Sequence, residues 1–325
     1  MTQAPGKVLI TGAGGFIGQA LRRRFKERAI AHVAAVRSAS SADESSPECV
    51  ALGDFAAADW TPVLAGVDSI VHLAGRAQVL HGAHGDATPY VVANVHVTRR
   101  LLDAAVSAGV RRIVFASTVK VYGERTQHGR PFRAGDPVRP RDDYARSKAE
   151  AEKVLWQRCH AAGIEGVVLR LPLTYGPGVG GNFLALMDAV GAGRRLPFAR
   201  VNNRRSLLYV GNAVTAIEAA LEGPWLVDET LPVADAESVS TAELVERIAR
   251  ALGVPARLYP APPLLMHAAA MLAGRARVAA RLLSSLEIDA TRFRELAHWK
   301  PYASLNEGLM ATAAWWLARH PQATR

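Results

Sequence analysis

Tyr144 and Lys148 are the two side chains of this sequence best suited to move a proton. They stand four residues apart in the run Tyr-Ala-Arg-Ser-Lys, so a helix places both on one face. A free tyrosine, with a pKa of about 10, carries protons poorly at neutral pH, whereas an adjacent ammonium stabilises the phenolate. The pair predicts proton transfer by Tyr144, tuned by Lys148. The alternative is an exposed helix pair without chemistry.

A hydroxyl group is expected beside this pair. The strand predicted over Arg112–Ser117 ends in one hydroxyl residue, Ser117, and is followed directly by another, Thr118. Because ligands of α/β proteins bind at the carboxyl ends of parallel strands, a hydroxyl at this position favours a reaction site over an exposed helix pair.

A glycine-rich turn near the N-terminus predicts a dinucleotide-binding site. Gly12, Gly15 and Gly18 follow the apolar strand Val8–Thr11 and precede a predicted helix. Gly12 permits a turn with positive φ, Gly15 lets the backbone approach a pyrophosphate at the helix N-terminus, and Gly18 allows close packing of the helix on the strand. The alternative is a turn that binds no ligand. Combined with a proton carrier, the turn predicts transfer of a hydride together with a proton.

The end of the second strand bears on the choice of cofactor. The strand His32–Val36 is followed by Arg37 and Ser38, with no carboxylate before Asp43. Arginine binds phosphate in a planar fork, so NADP(H) is preferred over NAD(H), unless Arg37 only stacks on the adenine of either. Asp54 is placed to accept from the adenine amino group, or else is a surface-turn residue. The predicted cofactor-binding residues are Gly12, Gly15, Phe16, Ile17, Gly18, Arg37, Asp54, Leu73, Ala74, Tyr144, Lys148 and Leu171.

Alternating strand and helix patterns predict an α/β protein with a Rossmann-type, doubly wound parallel sheet. Further strands are predicted at Cys49–Leu52, Val67–Leu73 and Gly166–Leu171, and helices at Asn94–Ala108 and Tyr144–Ala162. We expect a dinucleotide-binding domain over 1–171 and a smaller, mostly helical substrate lobe over 172–325. Two segments of that lobe, Leu207–Gly211 and Leu231–Val233, are expected to return to the main sheet.

Composition excludes several classes of protein. The 325 residues carry a net charge of +10, but the 39 basic residues include only six lysines and are spread along the chain, so no nucleic-acid partner is expected. The two cysteines stand in unrelated contexts, which predicts neither a disulfide framework nor a metal site and fits the cytoplasm. The apolar run 262–274 is shorter than the ~20 residues of a membrane span. This run predicts a buried or lid helix rather than a membrane-surface patch. Exposed loops are expected at residues 38–46 and 76–89.

Taken together, the motifs resemble those of the extended short-chain dehydrogenase/reductase family, mostly nucleotide-sugar epimerases, dehydratases and reductases. The resemblance covers essentially the whole chain and implies a catalytic hydroxyl at Thr118, with Ser117 as the fallback. It also implies a diphosphate-binding arginine at Arg205, a substrate-binding Asn182 that is alternatively a helix N-cap, and a homodimer formed through the two helices named above. The segments that carry the resemblance are 11–18, 71–75, 94–95, 115–123, 144–148, 169–178, 296–301 and 304–309.

One departure from the family pattern narrows the reaction. Sugar 4,6-dehydratases of the family carry an Asp-Glu pair directly after the catalytic hydroxyl, whereas this chain has Val119 and Lys120. A dehydratase is therefore not expected, and Lys120 becomes a candidate substrate contact. The run from Ser117 to Val121 resembles UDP-sugar 4-epimerases and 4-keto-6-deoxy-sugar reductases.

The resulting expectation is a nucleotide-sugar enzyme acting at sugar C4, with two outcomes open: a 4-epimerase that retains its cofactor, or a 4-ketoreductase that consumes NADPH. The substrate is expected to be UDP-linked. Two alternatives stay open: a reductase of a non-nucleotide ketone on the same fold, and a dinucleotide-binding sensor without catalysis.

Overall fold

The computed structural model describes residues 6–38, 48–77, 86–127, 129–262, 266, 271–272 and 276–321, except for the side chains of 276–279. Seven parallel strands form the main sheet in the order β3-β2-β1-β4-β5-β6-β9. The doubly wound α/β fold is therefore confirmed. The strands of the main sheet are β1 Val8–Thr11, β2 His32–Val36, β3 Cys49–Ala51, β4 Ser69–His72, β5 Arg112–Thr118, β6 Glu165–Leu171 and β9 Glu229–Pro232.

Helices cover both faces of this sheet, which is why its central strands are buried and mostly apolar. β1 and β4 are buried at every position, as parallel strands between two helical layers must be. One layer contains α1 and α7, and the other contains α4 and α5. The helices are α1 Phe16–Glu27, α2 Thr61–Leu64, α3 Thr88–Tyr90, α4 Val97–Ser107, α5 Asp143–Ala162, α6 Gly181–Gly191, α7 Val210–Glu222, α8 Thr241–Leu252, α9 Ala276–Leu283, α10 Thr291–Leu296 and α11 Leu305–Arg319.

The helix predicted at Asn94–Ala108 is π-helical, not α-helical, in its first three residues. The chain is π-helical over Val91–His96 before α4 begins, and α3 precedes this segment without a break. Hydrophobic periodicity reveals an amphipathic helix but not a local change in its hydrogen bonding, so the π-helical segment could not be read from the pattern. π-helical segments are frequent at functional sites, and this one contains the buried side chain of Asn94.

A second sheet corrects one prediction. Leu207–Gly211 does not return to the main sheet: β8, Arg205–Tyr209, pairs in parallel with β7, Leu173–Tyr175, and antiparallel with β10, Ser238–Val239. Leu207 and Leu208 are both buried, so their apolar run predicts a covered strand but does not identify its neighbours. By contrast, β9 joins β6, which confirms the prediction for Leu231–Val233.

Three predicted segments lie largely outside the described residues: the apolar run 262–274 and the loops 38–46 and 76–89. Over the parts of the chain that are described, no helix combines the length and the hydropathy needed to cross a bilayer. Within the same residues, no group of histidine, cysteine, aspartate and glutamate side chains has the geometry of a metal site.

Candidate active site

The glycine turn between β1 and α1 has no space for a side chain at Gly12 or Gly18. Gly12 has a φ of +67°, and a Cβ built on it would lie 2.7 Å from the Ala74 nitrogen and the Leu73 carbonyl carbon. A Cβ on Gly18 would overlap the Gly12 carbonyl oxygen. Both glycines are therefore required by contacts of α1 and β4 with the turn, as the spacing predicts.

The N-terminus of α1 fits an anionic ligand. Gly15 is its N-cap, and no side chain accepts a hydrogen bond from the first turn. Free amides at a helix N-terminus bind phosphate oxygens. Phe16 and Ile17 are half-buried in this first turn, and Leu171 ends β6 at the same carboxyl edge of the sheet as the turn.

A buried hydrogen-bond chain fixes the strand ends behind the turn. His72, at the end of β4, contacts the Thr11 hydroxyl through Nδ1 at 2.7 Å and the Thr98 hydroxyl through Nε2 at 2.8 Å. Thr11 Oγ1 also accepts from the Ala74 amide at 3.2 Å. Burial lowers the pKa of His72 to about 3, so the imidazole is neutral and serves as a structural link between β1, β4 and α4.

The predicted proton-transfer group is assembled where β5 ends and α5 begins. Thr118 is the last residue of β5, and Tyr144 is the second residue of α5. Their side chains are in hydrogen-bonding contact. Lys148 follows one turn later on α5, is 5% exposed, and has its Nζ 3.9 Å from the centroid of the Phe115 ring.

Burial sets the charge state of this group. It raises the pKa of Tyr144 to about 12, against the opposing effect of the Thr118 hydrogen bond. It lowers the pKa of Lys148 to about 7, because the ammonium loses its hydration. Without a ligand the phenol is therefore protonated, and a positive charge brought close to it would favour the phenolate.

Ser117, the alternative candidate for the catalytic hydroxyl, forms its hydrogen bond with a different residue. Its Oγ donates to Glu152 Oε1, and Glu152 also forms a buried ion pair with Arg170 at 2.6 Å. Consecutive residues of a strand point to opposite faces. The geometry therefore favours Thr118, rather than Ser117, as the partner of Tyr144.

The sequence analysis includes Asn94 in a segment that carries the family resemblance but does not name it as a site residue; its side chain holds α5 in place. Its Nδ2 donates to Ser147 Oγ at 2.8 Å, and its Oδ1 accepts from the Arg76 amide at 2.7 Å. Ser147 in turn donates to the Tyr144 carbonyl at 2.8 Å. The only signal in the sequence is an asparagine near the start of an apolar helix, which also fits a cap.

A cavity of about 1,300 Å³ lies beside the end of β5. Lys120 and Arg205 both line it, as does Arg281 of α9, which the sequence analysis missed because it lies in no recognisable motif. Arg205 donates to the Arg281 carbonyl at 2.6 Å and to the Ser284 carbonyl at 2.9 Å. Burial and the neighbouring Arg281 charge lower the pKa of Arg205 to about 10. Such a cationic wall suits an anionic substrate.

The remaining predicted residues stand apart from this group. Asn182 is the second residue of α6, whose N-cap is Gly180, so the alternative that Asn182 caps the helix is wrong. Arg37 is exposed directly after β2. Asp54 is exposed and accepts from the Ala56 amide at 3.0 Å, as its surface-turn alternative predicts.

Comparison with known proteins agrees with the fold and the motifs. The model of the NAD dependent epimerase/dehydratase family matches residues 8–229. A UDP-glucose 4-epimerase of Vibrio cholerae is 35% identical over 313 residues, which cover 95% of each chain. A UDP-glucose epimerase of Bacillus subtilis, described as uncharacterized, is 28% identical over 93% of this chain and 95% of its own.

A solved structure has the same fold. The UDP-glucuronic acid 4-epimerase of Bacillus cereus, in complex with NAD, superposes with a TM-score of 0.79 over 96% of both chains, at 22% identity. This likeness supports the fold, whereas the family model and the Vibrio relative assign the chain. It belongs to the NAD-dependent epimerase/dehydratase family, whose enzymes use a nicotinamide dinucleotide.

Proposed function

We propose that this protein interconverts the C4 epimers of a UDP-linked hexose or N-acetylhexosamine. The observation that carries the proposal is the contact between Thr118 and Tyr144, one helical turn from the buried Lys148, at the carboxyl edge of the sheet that bears the glycine turn. The 35% identity to a UDP-glucose 4-epimerase over 95% of the chain supports the substrate class.

In this proposal Tyr144 and Thr118 act on the C4 oxygen of the sugar. Tyr144 takes the proton of the C4 hydroxyl and later returns it, while the Thr118 hydroxyl holds the oxygen by a hydrogen bond. When bound, the nicotinamide supplies the acceptor and donor of the C4 hydride. Since the hydride returns to the opposite face of the resulting ketone, the configuration at C4 is inverted.

Lys148 acts on Tyr144 by charge. Its pKa of about 7 means that the amine takes up a proton and becomes an ammonium near neutral pH, and a cation one turn away stabilises the phenolate. The glycine turn with Gly12, Gly15 and Gly18 would hold the dinucleotide. Gly12 packs against the backbone directly after β4, and Gly18 packs against the turn, too closely for a side chain at either position. The N-terminus of α1 offers its first amides to the phosphates.

Lys120 and Arg205 are the proposed substrate contacts in the cavity, joined there by Arg281. A diphosphate carries charge that a pair of arginines binds in forked geometry. Asn182, in the first turn of α6, is proposed to contact the substrate from the other lobe. The division into a dinucleotide domain over 1–171 and a substrate lobe over 172–325 is part of this proposal.

Arg37 favours NADP(H) over NAD(H). It is exposed at the end of β2, where a guanidinium meets a ribose 2′-phosphate in the proposed binding mode. We expect Arg37→Ala to weaken NADP⁺ binding about tenfold or more, the typical worth of a charge-assisted hydrogen bond, and to leave NAD⁺ binding within about twofold. Calorimetric titration with both cofactors measures this; equal losses for the two would contradict the NADP preference and indicate stacking on the adenine.

A 4-ketoreductase is the second candidate, and the same Arg37 favours it, since NADPH is the usual donor in net reduction. Purified enzyme is incubated with UDP-glucose, UDP-N-acetylglucosamine and a UDP-4-keto-6-deoxy sugar, with and without NADPH. Formation of C4 epimers without added reductant supports the epimerase. Net NADPH consumption on the keto sugar alone supports the reductase instead.

A homodimer and a cytoplasmic location complete the proposal. The outer side of α4 exposes Val106, 42% accessible to solvent, on one of the two helices expected to pair with a second copy. Light scattering is expected to give twice the chain mass of 34.8 kDa, and Val106→Glu to shift it toward the monomer. A monomeric wild-type protein would contradict this proposal.

A further inference from the structure

The end of β5 and the start of α5 are joined by two pairs of side chains. Thr118 contacts Tyr144, and Lys120 Nζ lies 2.9 Å from Asp142 Oδ2. The second pair stands two residues after Thr118 on one segment and two residues before Tyr144 on the other. The ion pair therefore lies next to the proton-transfer pair, where the Asp142 charge acts on Tyr144, and its two residues also line the cavity of about 1,300 Å³.

Asp142 has two tasks in this arrangement. Its Oδ1 accepts from the Ala145 amide at 2.7 Å and so caps the N-terminus of α5, while its Oδ2 binds Lys120. The side chains of Asp142 and Lys120 are each only 17% exposed, so solvent screens their charges weakly. The Asp142 charge raises the pKa of Tyr144, and the Lys120 ammonium opposes burial in lowering the pKa of Asp142.

We propose that Lys120 and Asp142 are a positioning pair for Tyr144. Lys120 holds the capping carboxylate, keeps the start of α5 against the end of β5, and cancels the negative charge that Asp142 presents to the phenol. The inference deepens the proposed function, because it rests on Tyr144 as the proton carrier. The pair acts through Tyr144 and is therefore a positioning element for the reaction, besides any contact that Lys120 makes with substrate.

Other groups also surround the phenol. Tyr90 of α3 has its ring centroid 6.3 Å from that of Tyr144, and the Arg76 guanidinium lies 5.7 Å from the Tyr90 centroid. Lys148 stands on α5 itself and interacts with the charge of Glu152. Two further charged groups among the described residues act on the ion pair: Arg281 from α9 and Glu124 from the segment after β5. Thr118 contributes a hydroxyl from β5. All of these groups are unchanged in the variants below.

The test compares two single variants and their combination. Lys120→Gln leaves the Asp142 charge uncompensated, which disfavours the phenolate, so the midpoint of Tyr144 ionisation moves to higher pH. Asp142→Asn retains a side chain that caps helices well but removes the negative charge, so the midpoint moves to lower pH. We expect shifts of about half a pH unit or more in each direction, and a midpoint near that of wild type in the double variant.

Two readouts are used with the cofactor bound. One is the pH profile of kcat in the epimerisation assay, and the other is the ultraviolet difference spectrum of phenolate formation against the Tyr144→Phe background. Asp143→Asn is the matched control: it removes the neighbouring carboxylate of the same helix, which is exposed and pairs with Arg146 at 2.7 Å, and it should leave the midpoint unchanged. Lys120→Arg keeps the charge and should restore most of the wild-type profile.

Opposite shifts that cancel in the double variant support the inference, because loss of packing alone would not change sign. Midpoints that stay within about 0.2 pH unit of wild type in both single variants, or that move in the same direction, would overturn it. The spectroscopic readout needs no turnover. Opposite shifts of the phenolate midpoint without epimerisation would therefore reject the proposed function and support the positioning role. Epimerisation with unchanged midpoints would support the proposed function and reject the positioning role.

Discussion

The chemistry proposed for this protein depends, at the scale of single residues, on one phenol in an environment that opposes its ionisation. Burial raises the pKa of Tyr144 to about 12 and lowers that of Lys148 to about 7. In opposite ways, both shifts reflect the cost of a charge removed from water. A ligand that brings a positive charge next to the phenol would oppose this effect of burial and make the phenolate accessible only when the site is loaded.

Removal of the phenol tests its role. Tyr144→Phe keeps the ring but loses the proton carrier, so we expect kcat to fall about 10²–10⁴-fold, with cofactor affinity within about twofold of wild type. Steady-state kinetics and calorimetry measure the two quantities. Tyr90→Phe, which alters the neighbouring ring 6.3 Å away, is the control and should retain most of the activity; near-normal turnover by Tyr144→Phe would show that another group carries the proton.

Removal of either hydroxyl at the end of β5 is expected to affect a different property most, catalysis for Thr118 and stability for Ser117. Thr118→Val removes the hydroxyl at nearly constant volume and should lower kcat by about 10-fold or more. Because Thr118 Oγ1 also accepts from the Lys120 amide at 3.3 Å, the free energy of unfolding should fall as well, by about 0.5–1.5 kcal/mol. Ser117→Ala removes a donor to buried Glu152 and should lower the free energy of unfolding by about 1–2 kcal/mol, with kcat within about threefold. A large loss of kcat in Ser117→Ala, with nearly normal kcat in Thr118→Val, would identify Ser117 as the catalytic hydroxyl.

The Tyr/Lys pair and the glycines could be predicted because their chemistry lies in short, local spacings. The contacts of Asn94 with Arg76 and Ser147 span 18 and 53 positions of the sequence. The hydrogen bond from Arg205 to the Arg281 carbonyl spans 76 positions. No local pattern encodes such distances. These residues became visible only once the elements were placed.

Among the elements, α1 and α5 carry the largest share of the site, and both have ends that the sequence marks. α5 ends at Gly163, which has a φ of +67° that favours glycine. α1 begins at the glycine turn, where Gly18 brings the helix onto the backbone of the turn. The position of the dinucleotide site depends on that close approach.

The packing of α1 predicts which glycine tolerates a methyl group. Gly18→Ala forces the added Cβ against the Gly12 carbonyl oxygen and the Ala13 backbone, neither of which can move aside. We expect the free energy of unfolding to fall by about 1–3 kcal/mol and cofactor affinity to fall at least tenfold. Gly180→Ala, at a negative φ with no atom within 4 Å of the new Cβ, is the matched control and should cost under about 1 kcal/mol. Equal effects of the two would contradict the packing argument.

For the molecule as a whole, the main sheet follows from alternating patterns, whereas the second sheet does not. β1, β4, β5 and β6 are apolar runs between helices, which restricts them to a parallel sheet. β8 has the same kind of run, yet it pairs with β7 and β10. Which sheet a buried strand joins depends on long-range pairing, and hydrophobicity alone does not specify it.

The buried His72 links stability of the whole fold to pH. Its pKa is about 3 in the folded chain and about 6.5 when unfolded, so below pH 6.5 only the unfolded chain takes up the proton. Folding stability therefore falls as the pH drops from 6.5 toward 3, by up to about 1.4 kcal/mol per unit for this group. Urea unfolding at pH 6.5 and pH 5 should show a larger loss for wild type than for His72→Gln. Equal losses would show that His72 is not kept neutral by the fold.

The most direct test of the central claim follows a deuterium atom at C4 of the UDP-sugar substrate. If Tyr144 moves only the hydroxyl proton and the C4 hydrogen travels as a hydride, mass spectrometry of the epimer formed by wild-type enzyme will find the deuterium retained at C4. Tyr144→Phe will form almost no epimer. Loss of the deuterium to solvent water, or failure to epimerise any UDP-hexose with the cofactor bound, would contradict the account.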